Sequence, residues 1–597
     1  MTTLAGEYVM GRMLPSPRQT ERPPRTSSEG RRLLRRLLVA AFAAALAALC
    51  GGVPAASTAP AAAPWDGMSF PSRFDLRESG RVTPVRSQQA YGTCWIMAAT
   101  GSLESSVLRL EGIARDFSEN NMADHMASRL DYQGFAPSEI ATAYYARWEG
   151  PVYESSDPYP DPGGSPEFLR AVRHVQEVLS LPAREPGTQD NAALKWAVST
   201  YGGVDATIDF DTADRYGFWN QATAAYYNGE RSELDHHVLC VGWDDAFPAS
   251  DFVTRPPGDG AFLIKNSWGA DWGDHGYLWV SYYDVSFGKT LAVFDGVEGV
   301  KDYDAVYQYD ALGRSSWTGT GSGETAWFAD RFVCAGTGDV KAVSFSTPVP
   351  GTSYEVRVAG SLAGVAAAPA AGAGTVAVAG YHTVRLAAPA RVEEGHGFVV
   401  AVRVTTPGWT TPVPVEAPSQ YIAPRARAGQ SFVSADGAAW TDLTGIAGLQ
   451  QANVCLKAFV DDPLGKGDTA RPRATVSAGT FRPGAEVRVP WRLSDPAFSS
   501  ASAILVLSVH DSSGAVMAER RIPAVAVGER GVWGFTANWP RGTYRVSARA
   551  YDVAGHRQAA PGTAALVLRG AAAASGRTVG TAGVRIAGAP GAGARGR

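Results

Sequence analysis

The chain has 597 residues, 45% hydrophobic and 19% charged, with a formal charge of -4; these are near-globular proportions, which exclude wholesale disorder and an integral membrane bundle. At about 100 to 200 residues per domain, the length calls for three or four domains behind any targeting segment. Residues 1–57 hold eight Arg against three Glu, a local +5 that leaves the remainder at -9, and without a Lys/Arg run that remainder offers no basis for binding nucleic acid.

In chain order, Arg31, Arg32, Arg35 and Arg36 precede the apolar run from Leu37 to Leu49, and small residues follow from Val53 to Ser57. Residues 1–57 therefore read as a signal peptide region. The run is shorter than the roughly 20 residues a membrane-spanning helix needs, so export is expected, to a secreted or extracellular location that includes the cell surface. Leu49 stands before Cys50 where a lipidated cysteine wants a small residue. A short linker, 58–73, follows. Residues 74–301 mix helical and β-rich stretches and contain all the candidate chemistry. Residues 302–462 read as β-branched and aromatic runs broken by Gly, Pro and Ser, the pattern of an antiparallel sandwich. A linker is placed at 463–473. Over 474–570, the alternation of Tyr544, Val546, Ala548 and Ala550 with Arg545, Ser547 and Arg549 predicts a second, immunoglobulin-like sandwich. The Ala/Gly/Arg composition of 571–597 predicts a disordered tail.

Within the first block, apolar Ile96, Ala99, Leu103, Val107 and Leu110 recur at helical spacing, which places Cys94 at the start of an amphipathic helix. Amide groups and dipole at that end favour a thiolate. A thiolate nucleophile needs a proton acceptor, and that acceptor needs a partner to fix its tautomer. His236 and Asn266 are candidates, but only tertiary folding can bring them to Cys94. A lone cysteine is more often a small buried hydrophobe.

The segment Gln88 to Trp95 (Gln-Gln-Ala-Tyr-Gly-Thr-Cys-Trp), the strand-like Asp235 to Trp243 and the segment Lys265 to Gly273 (Lys-Asn-Ser-Trp-Gly-Ala-Asp-Trp-Gly) resemble, in that order, the nucleophile, histidine and asparagine motifs of papain-like cysteine peptidases. Phe117-Ser118-Glu119 adds a weaker match. The block from Tyr144 to Pro151, the β-rich region after Asp302 and the run Asn453 to Phe459 are similar to the bacterial and archaeal branch that carries a lectin-like domain. The resemblance implies an α+β papain-like catalytic domain followed by two all-β sandwich domains. It also implies an exported cysteine endopeptidase with Cys94 as nucleophile, His236 as base, Asn266 orienting the imidazole, Gln88 and the Cys94 N–H meeting the oxyanion, and Trp268 covering the Asn266–His236 bond. Adjacent strand residues face opposite ways, and the motif register selects His236 over His237.

Several residues depart from the family pattern. Tyr91 stands where many members have a disulfide-forming cysteine, and Gly134-Phe135 where a glycine pair commonly lines the substrate groove. The 16 residues of the 58–73 linker leave no room for a long helical inhibitory prosegment. No His/Cys cluster has metal-ligand spacing, and no cofactor is implied. Cys334 and Cys455 begin and end one predicted sandwich, and export permits a bridge between them. Trp317, Trp327, Trp409 and Trp440 offer either a glycan-stacking surface or sandwich core. Expected partners are a protein or peptide substrate and, for the β-domains, a glycan or cell-surface ligand; no heptad pattern demands an oligomer, so a monomer is expected. The competing reading is a catalytically silent surface binding or adhesion protein that keeps a peptidase fold. A cell-wall amidase or transglutaminase-like enzyme would also use Cys and His, without predicting Gln88 or the Asn266-Ser267-Trp268-Gly269 signature.

Overall fold

The computed structural model describes residues 62–570 apart from 128–129, 131, 186–190, 212–214, 463–469 and 495–501. The expected signal region with Cys50, the tail 571–597 and most of the 463–473 linker lie outside the described residues. No helix among the described residues is long and apolar enough to cross a membrane.

The helix Cys94–Glu111 lies buried on every side from Cys94 to Val107. The predicted amphipathic stripe is only part of its buried surface, because sheet strands and two further helices, Glu119–His125 and Ser138–Ala146, cover the rest. Ile96, Ala99, Leu103 and Val107 enter one core with Tyr145, Val178 and Phe294. Leu110, predicted on the same face, is exposed in the last turn. Gly112 closes the helix in the left-handed conformation, its N–H bonding the Leu108 carbonyl. Gly101 permits the close crossing: a Cβ there would sit 3.1 Å from a Leu239 methyl.

This helix packs on a wide sheet that does not stop at the expected domain boundary. Strands Val204–Ile208, His236–Asp244, Ala261–Lys265 and Tyr277–Ser281 adjoin Leu291–Glu298 and His174–Leu181. His174–Leu181 then pairs antiparallel with Ala379–Val392, with Tyr381 opposite Val178 and His382 opposite Glu177. The sheet continues through Gly338–Thr347 and Leu456–Asp461 to Ala305–Gln308. Residues on both sides of position 301 thus share one hydrogen-bonded sheet.

On the far side, a six-stranded sheet containing Thr325–Val333, Thr352–Ala359 and Gly397–Thr405 faces these strands. Phe328, Val400 and Val402 meet Val343, Phe345 and Leu456 in their common core. Trp327 belongs to a second core on the outer face of that sheet, with Trp440 packed against it; neither presents a free ring. Farther along, Glu486–Ser494 alternates exposed and buried residues along most of its length, as a strand with one dry face must. It contributes Val487, Val489 and Trp491 to a separate core with Leu505, Leu507, Val546 and Leu566.

The Cys334–Cys455 bridge does not form: Cys94, Cys240, Cys334 and Cys455 are all buried free thiols. Cys334 is turned toward the Gly336 carbonyl, 3.0 Å away, and receives the Tyr307 hydroxyl at 3.8 Å. Cys455 lies instead beside the Asp310 carboxylate. Marking the ends of a sandwich in sequence does not aim two side chains at one another.

Candidate active site

The residues around Gln88 and Asn266 are joined by main-chain bonds. The Gln88 N–H donates to the Ser267 carbonyl at 2.8 Å, and the Gly269 N–H to the Arg86 carbonyl at 3.0 Å. Asn266 directly follows the strand Ala261–Lys265, which pairs with His236–Asp244. The Cys94 thiol receives the backbone N–H groups of Trp95 and His237. The helix start and the histidine strand therefore meet at the sulfur, with His236 one residue from the contact. Gly92 fits here because a Cβ would lie 2.4 Å from the Gln133 carbonyl oxygen.

His236 Nε2 is 2.8 Å from Asn266 Oδ1. The same oxygen accepts the Ser267 backbone N–H, also at 2.8 Å. A backbone N–H can only donate, so the atom it meets must be the amide oxygen, and the imidazole nitrogen facing that oxygen must carry the proton. His236 is therefore held as the Nε2–H tautomer, leaving Nδ1 free to accept. Trp268 stacks on the imidazole with centroids 4.8 Å apart, and Phe210 and Trp272 pack edge-on against Trp268. This aromatic wall excludes water, and its removal would weaken the bond beneath it.

His237 turns to the opposite face, as strand alternation requires. Its Nδ1 is 2.7 Å from Asp205 Oδ1, and Phe135 lies against its ring. The Gln88 amide is fixed at both ends: Ser267 Oγ donates to Oε1 and Nε2 donates to the Tyr91 carbonyl, each at 2.7 Å. One Nε2 hydrogen remains, since a carboxamide nitrogen carries two. The Cys94 N–H, at the first helical position, has no acceptor within its helix.

Cys94 and His236 are 3% and 4% exposed, and that burial sets their charges. It pushes the Cys94 thiol up to about 12 and the His236 imidazole down to about 4. Desolvation of the sulfur works against the thiolate that the helix end and the two neighbouring N–H groups favour.

Tyr159 was not singled out from sequence, yet it ties this corner together. Its hydroxyl donates to the Gln88 carbonyl at 2.9 Å and lies 2.6 Å from Thr93 Oγ1. Tyr91 and Tyr159 pack edge-on, Tyr132 and Tyr159 stack, and Tyr91 meets Tyr132 edge-on. Three aromatic rings fill the place where a disulfide was ruled out. Lys265 was quoted without a role; its buried ammonium donates to Thr83 Oγ1, which donates to Glu104 of the Cys94 helix at 2.6 Å. Their roles appear only in side-chain contacts between distant segments, whether the residue lies inside a motif, as Tyr91, Thr93, Lys265 and Ser267 do, or outside one, as Tyr159 and Thr83 do. Gly134, flagged as a departure, accepts Trp95 Nε1–H at 3.0 Å. Among the described residues, no group of three or more His, Cys, Asp or Glu has metal-holding geometry.

Residues 70–288 match the family model described as papain family cysteine protease, and residues 306–460 the model described as lectin like domain. The chain thus carries a papain-family cysteine protease domain followed by a lectin-like domain. Among curated proteins it is similar to Testin-2 of Mus musculus, 32% identical over 215 residues, 35% of this chain and 60% of that protein. Cathepsin J of Mus musculus is 30% identical over 233 residues, 38% of this chain and 66% of that protein. The chain spans roughly three fifths to two thirds of these relatives' own length. Among solved structures it resembles the clostridial cysteine protease Cwp84 after propeptide cleavage, with a TM-score of 0.58 and 22% identity over 65% of this chain and 99% of that one. A second structure contains the cysteine protease and lectin-like domains of Cwp84, a surface layer associated protein of Clostridium difficile. It gives a TM-score of 0.57 and 21% identity over 66% and 89% of the two chains. These structural likenesses speak for the fold.

Proposed function

We propose that the protein is an exported cysteine endopeptidase that cleaves peptide bonds by acyl transfer at Cys94. The observation that carries this reading is the Ser267–Asn266–His236 chain of bonds, which leaves His236 Nδ1 bare on the strand that touches the Cys94 sulfur. In the proposed reaction His236 Nδ1 takes the thiol proton as sulfur attacks the carbonyl carbon. Asn266 Oδ1 accepts the Nε2–H throughout and so stabilises the imidazolium. The second Gln88 Nε2 hydrogen and the Cys94 N–H meet the oxygen as it becomes negative. The imidazolium returns its proton to the leaving amine, and water then hydrolyses the thioester with His236 again acting as base.

Export rests on the basic and apolar pattern of residues 31–57. A place at the cell surface is supported by the description of Cwp84 as surface layer associated. For the lectin-like region, Trp317 and the exposed Trp409 lie 6.5 Å apart and both line a cavity of about 210 Å³. Of the four tryptophans this pair supports a glycan-type ligand. The competing silent binding protein needs neither the fixed tautomer nor the doubly anchored Gln88.

The test is stoichiometric labelling of the exported form with a thiol-directed epoxide, with Cys94→Ala as control. Label on Cys94 is expected, reporting reactivity and access together, and an unlabelled Cys94 would favour the silent protein. Gln88→Ala should cut kcat by about 10²- to 10³-fold while leaving alkylation largely intact; unchanged turnover would remove Gln88 from the mechanism.

A further inference from the structure

Away from Cys94, four guanidinium groups line one cavity of about 90 Å³, where the protease domain, the lectin-like domain and the C-terminal sandwich meet. Arg425 and Arg427 come from the segment after the strand Val413–Glu416. Arg520 and Arg521 lie on the strand Val516–Ala526. Two carboxyl groups share the cavity, Glu416 and Glu529.

The negative groups do not balance the positive ones. Glu416 is fully buried, accepting Asn453 Nδ2 at 2.7 Å and the Leu312 N–H at 2.6 Å. Burial and the nearby Asp310 carboxylate push it up to about 8, so it is mostly protonated at neutral pH. Glu529 pairs with both Arg425 and Arg427 and is the single carboxylate for two cations. Arg521 is already engaged: it shares Glu149 with Arg147, at 3.3 and 3.2 Å, its Nη1 donates to the Glu167 carbonyl, and only its buried Nε has no protein partner among the described residues. Arg520 has no carboxylate partner among the described residues. Burial, then the charges of Arg427 and Arg520, lower Arg425 to about 10. A chain that is otherwise acidic gathers an unneutralised cation cluster at this one junction.

We propose that this junction binds a tetrahedral oxyanion, a phosphate-type group held by Arg425, Arg427 and Arg520, with the already paired Arg521 at the cavity edge. Guanidinium groups match such oxygens in pairs, and the cavity is well below the roughly 300 Å³ at which pockets for larger organic ligands begin. The group is either free inorganic phosphate or one phosphodiester of a polyanionic surface polymer. The side chains that hold it come from both the lectin-like domain and the C-terminal sandwich, so the bound anion fastens the two together.

The experiment uses the full exported chain. Inorganic phosphate and a soluble glycerol-phosphate polymer are titrated by calorimetry and by thermal unfolding, against chloride at matched ionic strength. Saturable binding with a rise in Tm beyond the chloride control is expected. Binding of both probes identifies free phosphate as sufficient, and binding of the polymer alone identifies the polymer as the source. Arg520→Glu, which breaks no ion pair among the described residues, is expected to weaken binding by about tenfold or more, a difference of about 1.4 kcal/mol, with epoxide labelling of Cys94 unchanged. Arg425→Ala should weaken it further. Equal effects of phosphate, polymer and chloride, or phosphate and polymer binding by Arg520→Glu equal to that of the unaltered protein, would overturn the proposal.

Discussion

The two junctions of the molecule are built from different materials. Between the protease and lectin-like domains the contact is main-chain: His174–Leu181 and Ala379–Val392 are neighbours in one sheet. Trp148, Val306, Ala342 and Phe459 add a small core drawn from both sides. Between these and the C-terminal sandwich the contact is made by side chains. Arg549 meets Glu167 and Arg521 meets Glu149, Phe168 stacks on Tyr551, and the sheets remain separate. A shared sheet fixes register and cannot be parted without exposing ladder groups. The partly exposed Arg549–Glu167 pair holds weakly and yields to salt, and the buried Arg521–Glu149 pair fixes no strand register. The first two domains should therefore unfold as one body, and the third should come loose on its own.

The largest expected effect comes from striking the shared sheet. Gly380 has φ +140°, and a Cβ there would lie 2.1 Å from the Val178 carbonyl oxygen and 3.0 Å from Leu179 Cα. Backbone cannot move aside as a flexible side chain can. Gly380→Ala should cost about 3 kcal/mol or more, lowering the denaturant midpoint for both domains together. An unchanged midpoint would mean that the two domains do not share this sheet.

A middle-sized effect should appear with pH. His174 is stacked on Trp148 at the first junction, rings 3.8 Å apart, and burial with Arg170 nearby lowers it to about 3. His125 is lowered to about 3 by burial and by Arg521 and Arg147, against Glu149, at the second. Their folded values lie below the unfolded value near 6.5, so the unfolded chain binds more protons in between. The stability they contribute is complete above about pH 6.5 and is lost progressively as pH falls toward 3. Urea midpoints measured from pH 7.5 downward should fall, and His174→Phe should flatten part of that slope; a flat profile for the unaltered protein would contradict the buried neutral state.

The smallest effect belongs to the side-chain junction. Glu167→Gln removes the pair with Arg549, whose members are 42% and 26% exposed, and should cost less than about 1 kcal/mol. Added salt should shrink even that difference. A large, salt-resistant loss would show that the second junction is as strongly built as the first, erasing the contrast.

Much of the site was legible beforehand because its chemistry depends on residue type at fixed local spacing. Gln88 six residues before Cys94, and Asn266 leading Ser267-Trp268-Gly269, are short-range patterns that a chain displays without folding. The inward set Tyr544, Val546, Ala548 and Ala550 was readable for the same reason, since strand alternation is local. Tyr159, Lys265 and Thr83 were not, because their value lies in hydroxyl and ammonium contacts across many intervening residues. The joined sheet was hidden in the same way: nothing local in Ala379–Val392 says that its neighbour is His174–Leu181.

The order of residues by itself determined which sulfur, imidazole and carboxamides are available, and the strand parity that turns His236 and His237 to opposite faces. Tertiary structure decided which imidazole nitrogen carries the proton, since that follows from one backbone N–H of Ser267 meeting Asn266. It also set desolvation of the Cys94 sulfur against the local helix end, because burial is a property of the packed neighbourhood. It left Cys334 and Cys455 apart, because bond formation needs two side chains aimed at one point, and that aim exists only once the sheets are stacked.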